Sequence, residues 1–333
     1  MGKSTGYTRK ASLLFKSRLD KAIESVILNN LGIRKDERFL IVYDSTKAPL
    51  AERFKNVASS IVEDVVLMRI PQTSVDGQEP SAKASKALLE CDAAIILTSR
   101  SISHTKARRN ATAKGVRMAS MPGITEEIMK RSVNIDYSGL KKRIEKIGSL
   151  LDKAKYVNIK TSFGTDIYFS ISGRKSHGLS AGMFNTKGKW GNLPEGESYI
   201  APVEGSANGV FVVDGSIAGI GKIKHPVIFF VRDGMIEKIT NGKKPLIIED
   251  MMSRIGTKAR NIAEFGIGLN NKARVTGIVL EDEKAIGTCH IALGNNIGFG
   301  GKVDVPFHVD CVIRKPSIWL DNKRIMKNGK LLV

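Results

Sequence analysis

The tripeptide His308-Val309-Asp310 places an imidazole and a carboxylate two positions apart near the end of the chain. In a β-strand, residues two apart point to the same face, so both groups would reach one ion while Val309 packs behind them. Zn²⁺, Mn²⁺, Co²⁺ and Fe²⁺ all accept this mixture of nitrogen and oxygen donors. The tripeptide therefore predicts part of a divalent-metal site.

Three more residues of the C-terminal half have the types that such a site needs. His290 lies within Thr288-Cys-His-Ile-Ala-Leu-Gly, Glu264 within Ala263-Glu-Phe-Gly-Ile-Gly, and Glu197 within Asn192-Leu-Pro-Glu-Gly-Glu. Glu264 has apolar neighbours, and a buried carboxylate is costly unless it is paired or bound to a cation. A metal is one partner that would fit, and a salt bridge to Arg260 or Arg274 is the alternative.

The other candidates for chemistry are weaker. His104, His177 and His225 lie in polar or turn-forming surroundings and are predicted to be surface residues. The segment Ser101-Ile-Ser-His-Thr precedes a basic helix start, so it is either an anion pocket at a helix N-terminus or a simple N-cap. Cap preferences favour the second interpretation, with Ser103 or Thr105 as the capping residue.

Elements that would position these residues fall into two classes along the chain. The first half alternates helix-period segments with four short apolar runs, which are predicted strands: Phe39–Tyr43, Val65–Ile70, Ala93–Thr98 and Val116–Met121. Continuous apolar runs are typical of strands buried on both faces of a parallel sheet. The first half is therefore predicted to be a doubly wound α/β domain with a mostly parallel sheet.

From Tyr156 onward the sequence has short alternating segments punctuated by Gly and Asn, which indicates antiparallel strands and turns. The helical stretch Leu140–Lys153 would connect the two halves. We predict an α/β domain over residues 1–154 and an α+β, mostly antiparallel, metal-binding domain over residues 155–333. Glycines such as Gly266, Gly268 and Gly294 are expected to serve tight turns and close backbone approach.

Composition limits the class of protein. No apolar stretch approaches the ~20 residues of a membrane span, and the basic N-terminus has no apolar segment behind it of the kind a secretion signal needs. The three cysteines, Cys91, Cys289 and Cys311, are odd in number and widely spaced, as expected of reduced core thiols in a cytoplasmic protein. The net charge of +20 is compatible with a nucleic-acid partner, but the basic residues are scattered along the chain, so this partner is not favoured.

Taken in order, the motifs resemble the thermophilic metallo-aminopeptidases of the aminopeptidase T and aminopeptidase S type. The segments that carry the resemblance are Asn192-Leu-Pro-Glu-Gly-Glu, Glu264-Phe-Gly-Ile-Gly, Asp282-Glu-Lys, Gly287-Thr-Cys-His-Ile-Ala-Leu-Gly and His308-Val-Asp. The N-terminal half resembles the family more loosely, through Gly115–Thr125 and the α/β pattern. The resemblance implies a homodimer that acts on a short peptide or another small molecule.

It also implies two cocatalytic ions, Zn, Co or Mn, with five residues at the matching ligand positions: Glu197, Glu264, His290, His308 and Asp310. Glu264 would bridge the ions, and Glu197 would either bind an ion or act instead as a general base. Such a pair activates water and polarises a peptide carbonyl, so the main prediction is an aminopeptidase-like hydrolase that removes an N-terminal residue. Ile297, however, stands where the family's peptidases carry a tyrosine, for which Tyr199 or Tyr168 would have to substitute.

Two alternatives stay open. The dihydroxypyridine ring-opening dioxygenases are similar to this family and use one Fe²⁺ held by two histidines and a carboxylate, a set that His290, His308 and Asp310 would supply. Their substrate would be a hydroxylated aromatic or pyridine ring. The other alternative is a basic nucleic-acid-binding protein in which the metal is structural.

Overall fold

A computed structural model describes residues 16–103, 105–240 and 244–333 of the chain. Its α-helices are α1 Arg18–Ser25, α2 Ala48–Ala58, α3 Ala82–Leu89, α4 Lys106–Ala113, α5 Glu126–Ile128, α6 Tyr137–Lys153, α7 Lys244–Ser253 and α8 Val279–Asp282. Its strands are β1 Arg38–Tyr43, β2 Asp64–Arg69, β3 Ala93–Leu97, β4 Arg117–Ser120, β5 Tyr156–Lys160, β6 Asp166–Ser170, β7 Trp190–Asn192, β8 Glu197–Ile200, β9 Asn208–Val213, β10 Ser216–Ile217, β11 Gly221–Lys222, β12 Val227–Arg232, β13 Met235–Thr240, β14 Ile262–Gly268, β15 Thr288–Gly294, β16 His308–Arg314, β17 Ser317–Leu320, β18 Lys323–Lys327 and β19 Lys330–Leu331.

The first compact unit comprises the described residues up to Ile135 together with Gly182–Pro194. Its parallel five-stranded sheet has the order β2-β1-β3-β4-β7. Every residue of β3 is buried, as the continuous apolar run Ala93–Leu97 predicts for a strand covered on both faces. All four predicted strands of this half are present, each within one or two residues of its expected bounds.

Local signals set the helices of this unit. The side chain of Ser81 accepts a hydrogen bond from Ala84 N at the start of α3, and Thr105 Oγ1 accepts one from Arg108 N at the start of α4. Both residues therefore satisfy amides that a helix leaves unpaired at its N-terminus. The N-capping interpretation of the Ser101–Thr105 loop is confirmed for Thr105, and His104 lies outside the described residues.

The fifth strand of the parallel sheet explains why the units differ from the predicted segments 1–154 and 155–333. β7 follows β5 and β6 in sequence, yet it pairs with β4 through Met118 and Trp190. The guanidinium carbon of Arg108 lies 3.7 Å from the centroid of the Trp190 ring. A segment of the second half thus completes the sheet of the first, which short-range sequence patterns do not reveal.

The helix α6 also lies on the other side of the predicted boundary. The second unit comprises Asp136–Ala181 and Glu195–Val333, so α6 belongs to it. Arg143 Nε of α6 donates to the carbonyl of Leu269 at 3.2 Å, and Ser176 Oγ donates to the carbonyl of Gly148 at 3.2 Å. These contacts make the predicted connector part of the second unit.

Two antiparallel sheets form the second unit. One has six strands in the order β11-β10-β16-β15-β14-β8, and the other has eight in the order β13-β12-β9-β6-β5-β17-β18-β19. Phe169 of the larger sheet meets Phe265 of the smaller one edge to face, with ring centroids 5.5 Å apart. The prediction of a mixed α/β chain with a mostly antiparallel C-terminal part is confirmed at this level.

Two further predictions concern membrane-spanning helices and thiols. Among the described residues, no helix combines the length and the apolar character that crossing a membrane requires. Cys91, Cys289 and Cys311 are buried and unpaired, as predicted. Burial raises the pKa of the Cys91 thiol to about 12, and it raises the pKa of the Cys289 thiol further. Neither thiol is therefore a thiolate at neutral pH.

Candidate metal centre

The six-stranded sheet gathers the predicted ligands on one face by its register. Glu264 and Asp310 both lie opposite Ala292 of the central strand β15. His308 lies opposite Gly294, His290 opposite Gly266, and Glu197 opposite Gly268. Each of these five side chains therefore has a glycine or alanine opposite it on at least one neighbouring strand, which leaves room for the larger side chains to converge.

The gathered side chains approach one another at distances typical of a shared cation. His290 Nε2 lies 3.0 Å from Glu264 Oε1 and 3.4 Å from Glu197 Oε2. His308 Nε2 lies 3.5 Å from Glu264 Oε2 and 3.4 Å from Asp310 Oδ1. Three groups have ligand atoms all within 4.8 Å of one another: Glu197 with Glu264 and His290, Glu264 with His308 and Asp310, and Glu283 with His290 and Asp310.

Protonation at the centre follows from these contacts. Burial acts to lower the pKa of His290, but Glu264 and Glu197 outweigh it and raise the pKa to about 9. Burial acts to raise the pKa of Asp310, and the neighbouring His308 outweighs it, so that pKa lies well below its usual range. In the absence of an ion, the two imidazoles thus carry positive charge that compensates the carboxylates.

The backbone fixes the tautomer of His308. Its Nδ1 lies 2.9 Å from the carbonyl oxygen of Asn295, to which it donates. Nε2 is therefore the atom that faces Glu264 and Asp310. Histidines that bind metals commonly donate their second ring N–H to a carbonyl or carboxylate in this way.

His290 has a different environment. Its Nδ1 is buried without a hydrogen-bond partner among the described residues, and its Nε2 points at two carboxylates. Gly266 makes room for the ring, because a Cβ built on that glycine would lie 2.1 Å from His290 Cε1. Gly266 and Gly268 lie within β14 rather than in turns, and they serve the close approach that was also expected of them: a Cβ on Gly268 would lie 2.1 Å from the carbonyl oxygen of Ala285.

Gly266→Ala is expected to destabilise the protein by about 1–3 kcal/mol, the usual cost of forcing extra atoms into a packed site. The added methyl group would push His290 away from Glu264, and metal content after loading should fall with it. The measurement is the urea unfolding midpoint together with elemental analysis. Gly298→Ala is the matched control, since nothing lies within 4 Å of a Cβ at that glycine; equal midpoints for the two variants would contradict the packing argument.

A buried lysine stands beside the ligands. The side chain of Lys284 is 2% exposed, and its Nζ contacts Glu197 Oε1 and lies 2.5 Å from Glu283 Oε1. Burial raises the pKa of Glu195, Glu197 and Glu283, and the Lys284 ammonium opposes that rise. With Glu264 and Asp310, five carboxyl groups share this region with the Lys284 ammonium and the imidazolium groups of His290 and His308, so the carboxyl groups outnumber the cations.

The Pro-Glu-Gly-Glu motif is held in place by the turn after β14. Gly196 has a φ of +141°, and a Cβ there would lie 2.5 Å from Cβ of Asn270. Gly196 accepts a hydrogen bond from Leu269 N at 2.7 Å, and Asn270 Nδ2 donates to the carbonyl of Glu195 at 2.9 Å. Glycine is therefore required at residue 196, between two buried glutamates.

An aromatic group borders the accessible side of the centre. The rings of His177 and Tyr199 stack with centroids 5.5 Å apart, and Phe299 meets His308 edge to face at 5.8 Å. His308 keeps 33% of its side-chain surface exposed, whereas His290 has none. The centre is thus open on the side of His308, next to Phe299.

The structure brings together all five predicted ligands but differs from other expectations. Arg260 pairs with Glu249, and the amide of Arg274 donates to Glu281, so neither satisfies Glu264. His225 is exposed, as predicted, whereas His177 is half buried beside the centre. Tyr168 lies away from the site and is 55% exposed, and Ile297 is 52% exposed.

Sequence reasoning missed the roles of Glu195, Glu283 and Lys284. All three lie inside motifs that had been singled out, Pro-Glu-Gly-Glu and Asp-Glu-Lys, but a lysine at the surface of a helix would have the same local pattern. The available signal was the adjacency of Lys284 to the apolar pair Ala285 and Ile286. It is too weak to predict burial.

Comparison with known proteins identifies the family to which the chain is similar. The family model described as NicX: 2,5-dihydroxypyridine 5,6-dioxygenase matches residues 28–333. The 2,5-dihydroxypyridine 5,6-dioxygenase of Pseudomonas putida is 25% identical over 210 residues, which is 58% of each protein. The chain therefore spans somewhat more than half the length of this curated relative in the match.

Solved structures share the fold. The structure of 2,5-dihydroxypyridine dioxygenase from Pseudomonas putida KT2440 has a TM-score of 0.80 at 19% identity and covers 96% of this chain and 99% of its own. Wild-type AmpT from Thermus thermophilus has a TM-score of 0.70 at 15% identity, covering 95% and 99%. At these identities the likeness shows the fold alone, which oxygenase and peptidase relatives share.

The family match overturns the main functional prediction. The prediction that this chain is an aminopeptidase, or any other hydrolase or protease, is wrong. The findings support the dioxygenase alternative. A dioxygenase family implies a bound metal, in agreement with the predicted divalent metal. Matched over 306 of its 333 residues (28 to 333), the chain belongs to the NicX family of 2,5-dihydroxypyridine 5,6-dioxygenase.

Proposed function

We propose that this protein is a metal-dependent ring-opening dioxygenase that acts on a hydroxylated pyridine or a closely related hydroxylated aromatic ring. The observation that carries the proposal is the Glu264, His308 and Asp310 group, whose ligand atoms converge within 4.8 Å on an accessible face of the sheet. Oxygen and imidazole donors with open positions suit Fe²⁺. The family of the chain supplies the reaction class.

The donor set fits a divalent cation. Ligands at ~2.0–2.2 Å from one ion lie roughly 3–4 Å from each other, and the four measured separations among Glu197, Glu264, His290, His308 and Asp310 run from 3.0 to 3.5 Å. Glu197 Oε2 is buried and has no hydrogen-bond partner among the described residues. A cation close to the Glu197 carboxylate would offset the surplus of carboxylates.

Within the proposal, the two histidines have separate roles. His308 presents Nε2 to the ion because its Nδ1–H is committed to the Asn295 carbonyl. His290 donates its Nε2–H to Glu264 Oε1 and so holds that carboxylate in the orientation that binds. The direct ligands are then Glu264, His308 and Asp310, rather than the triad of His290, His308 and Asp310 considered from the sequence.

When bound, Fe²⁺ would supply the one-electron chemistry with O₂ that carbon-based side chains lack. The residues of the chain would do the rest. Phe299, edge-on to His308 at 5.8 Å, offers an apolar surface for a planar ring. Tyr199 stays protonated, since burial and then Glu264 raise the pKa of its phenol, so it is a hydrogen-bond donor beside the carboxylates.

The test is oxygen consumption by anaerobically prepared protein loaded with Fe²⁺, using 2,5-dihydroxypyridine as the first probe. Consumption of one O₂ per ring, with loss of the ring's ultraviolet absorbance, is the expected result. Metal-free protein and Zn²⁺-loaded protein are the controls, because Zn²⁺ accepts the same ligands but has no redox chemistry.

Elemental analysis gives an independent readout of the same proposal. One iron per chain is expected after loading under anaerobic conditions and removal of excess metal. Oxygen uptake by the Zn²⁺-loaded or metal-free protein equal to that of the Fe²⁺-loaded protein would contradict the proposal. Firm binding of two ions per chain, together with no O₂ uptake on any hydroxylated ring tried, would also contradict it.

A further inference from the structure

The outer face of the eight-stranded sheet is aromatic and exposed. In β5 and β6, side chains alternate between buried ones such as Ile159 and Phe169 and exposed ones, among which Tyr156 and Tyr168 are 59% and 55% exposed. Phe230 of β12 is 37% exposed on the same face. Soluble proteins rarely leave several aromatic rings of one sheet face in water without a partner for them.

Strand register arranges this face in two rows. The first row crosses β18, β17, β5, β6 and β9 and consists of Arg324, Trp319, Asn158, Tyr168 and Asn208. The guanidinium carbon of Arg324 lies 5.7 Å from the Trp319 ring centroid. Trp319 and Tyr168 are two strands apart, which is ~10 Å at the usual strand spacing.

The second row lies two residues further along the strands. It crosses β5, β6, β9, β12 and β13 and consists of Lys160, Asp166, Val210, Phe230 and Lys238. Lys160 and Asp166 neutralise each other at 2.9 Å. Each row thus combines exposed aromatic surface with a basic residue at one end, Arg324 or Lys238, and the only carboxylate in either row is paired.

We propose that this face binds single-stranded nucleic acid. Unpaired bases stack on exposed aromatic side chains whatever their sequence, and cationic side chains at the border hold the phosphates. The side-chain amides of Asn158 and Asn208, which flank Tyr168 in the first row, offer both donors and acceptors to base edges. The net charge of +20, which the proposed dioxygenase activity does not use, matches a polyanionic partner.

A second copy of this chain is a less suitable occupant of the same face. Two copies meeting face to face across a twofold axis would bring Arg324 and Lys238 of each toward the same residues of the other. Like charges in such a contact repel. In a flexible single strand, the phosphates complement these charges while the bases stack on the aromatic rings.

The experiment is a fluorescence anisotropy titration of labelled 20-nucleotide oligouridine with the full-length, metal-loaded protein. Binding should weaken by about tenfold or more between 50 and 200 mM salt, as the release of counterions from phosphates requires. A 20-base-pair duplex should bind distinctly less well, because its bases are not free to stack. Tyr168→Ala and Trp319→Ala should each weaken binding of the single strand about tenfold.

Matched variants separate the face from the overall charge. Tyr168→Phe keeps the stacking surface and should bind as the unchanged protein does. Lys238→Glu and Lys83→Glu alter the net charge equally, but Lys83 lies exposed on α3 in the other unit. Only Lys238→Glu should therefore weaken binding strongly. It should also lower the salt dependence of binding by the equivalent of about one phosphate contact. All variants are checked for an unchanged circular dichroism spectrum and melting temperature.

Three results would overturn the proposal. The first is an unchanged affinity of Tyr168→Ala and Trp319→Ala for the single strand, and the second is an affinity for the duplex equal to that for the single strand. The third is a lower molecular mass of these two variants by light scattering, which would assign the face to a second copy of the chain. Metal content and oxygen uptake do not enter this test, so its outcome is independent of the proposed catalytic function.

Discussion

His308→Ala is expected to reduce ring-opening activity by more than about a hundredfold, since residues that only support metal ligands are already worth about 10- to 100-fold. His308 is the one imidazole of the centre that is both accessible and held by a backbone carbonyl through Nδ1. Its loss leaves Glu264 and Asp310 without the donor between them. The readouts are iron content per chain and the initial rate of oxygen uptake.

His225→Ala is the matched control for this substitution, because His225 is exposed and belongs to none of the three convergent groups found among the described residues. It should keep both iron and activity. Full activity in His308→Ala would exclude the Glu264, His308 and Asp310 group as the catalytic centre. A variant that keeps its iron but loses activity would instead place His308 in contact with the substrate, and the proposed ligand set would then be wrong.

Lys284→Met is expected to lower the free energy of unfolding by about 3–5 kcal/mol, the cost of leaving buried charge without its partner. Its ammonium is 2% exposed and contacts both Glu197 and Glu283. Methionine preserves much of the side-chain volume, so the effect reports charge rather than a cavity. Urea unfolding followed by circular dichroism measures it as a shift of the midpoint.

Two further proteins make that measurement decisive. Lys83→Met removes an exposed lysine and should leave the midpoint within experimental error. Adding Glu197→Gln and Glu283→Gln to Lys284→Met should recover part of the lost stability, because neutral amides no longer need a cation. A midpoint of Lys284→Met equal to that of the unchanged protein would show that the carboxylates obtain their charge compensation elsewhere.

Much of the centre could be predicted from sequence, because the types and spacing of residues within short segments indicate it. The spacing of His308 and Asp310 places both on one face of any strand, and a glutamate among apolar residues such as Glu264 needs a partner. The strands of the first half were recognisable for the same reason, as short runs of buried apolar residues. Local periodicity is sufficient for such elements.

What could not be predicted depends on long-range pairing. β7 joins the parallel sheet from the second half of the chain, and no local pattern in Trp190–Asn192 indicates this. The buried Lys284 ammonium pairs with Glu197, which is 87 residues away along the chain, as well as with the adjacent Glu283. The choice between hydrolase and oxygenase was the largest error, because a dihydroxypyridine dioxygenase and AmpT share this fold and the fold alone does not determine the reaction. Ile297, in place of the peptidase tyrosine, was the residue that already pointed away from the hydrolase.

The pairing of each convergent side chain with a glycine or alanine has a consequence for how the centre arises during folding. A slip of β16 by one residue against β15 would turn Val309 and Cys311 toward the convergent side chains and His308 and Asp310 away from them. Strands distant in sequence must therefore reach their final alignment before the five side chains converge. We expect the complete centre to form late in folding, together with the six-stranded sheet.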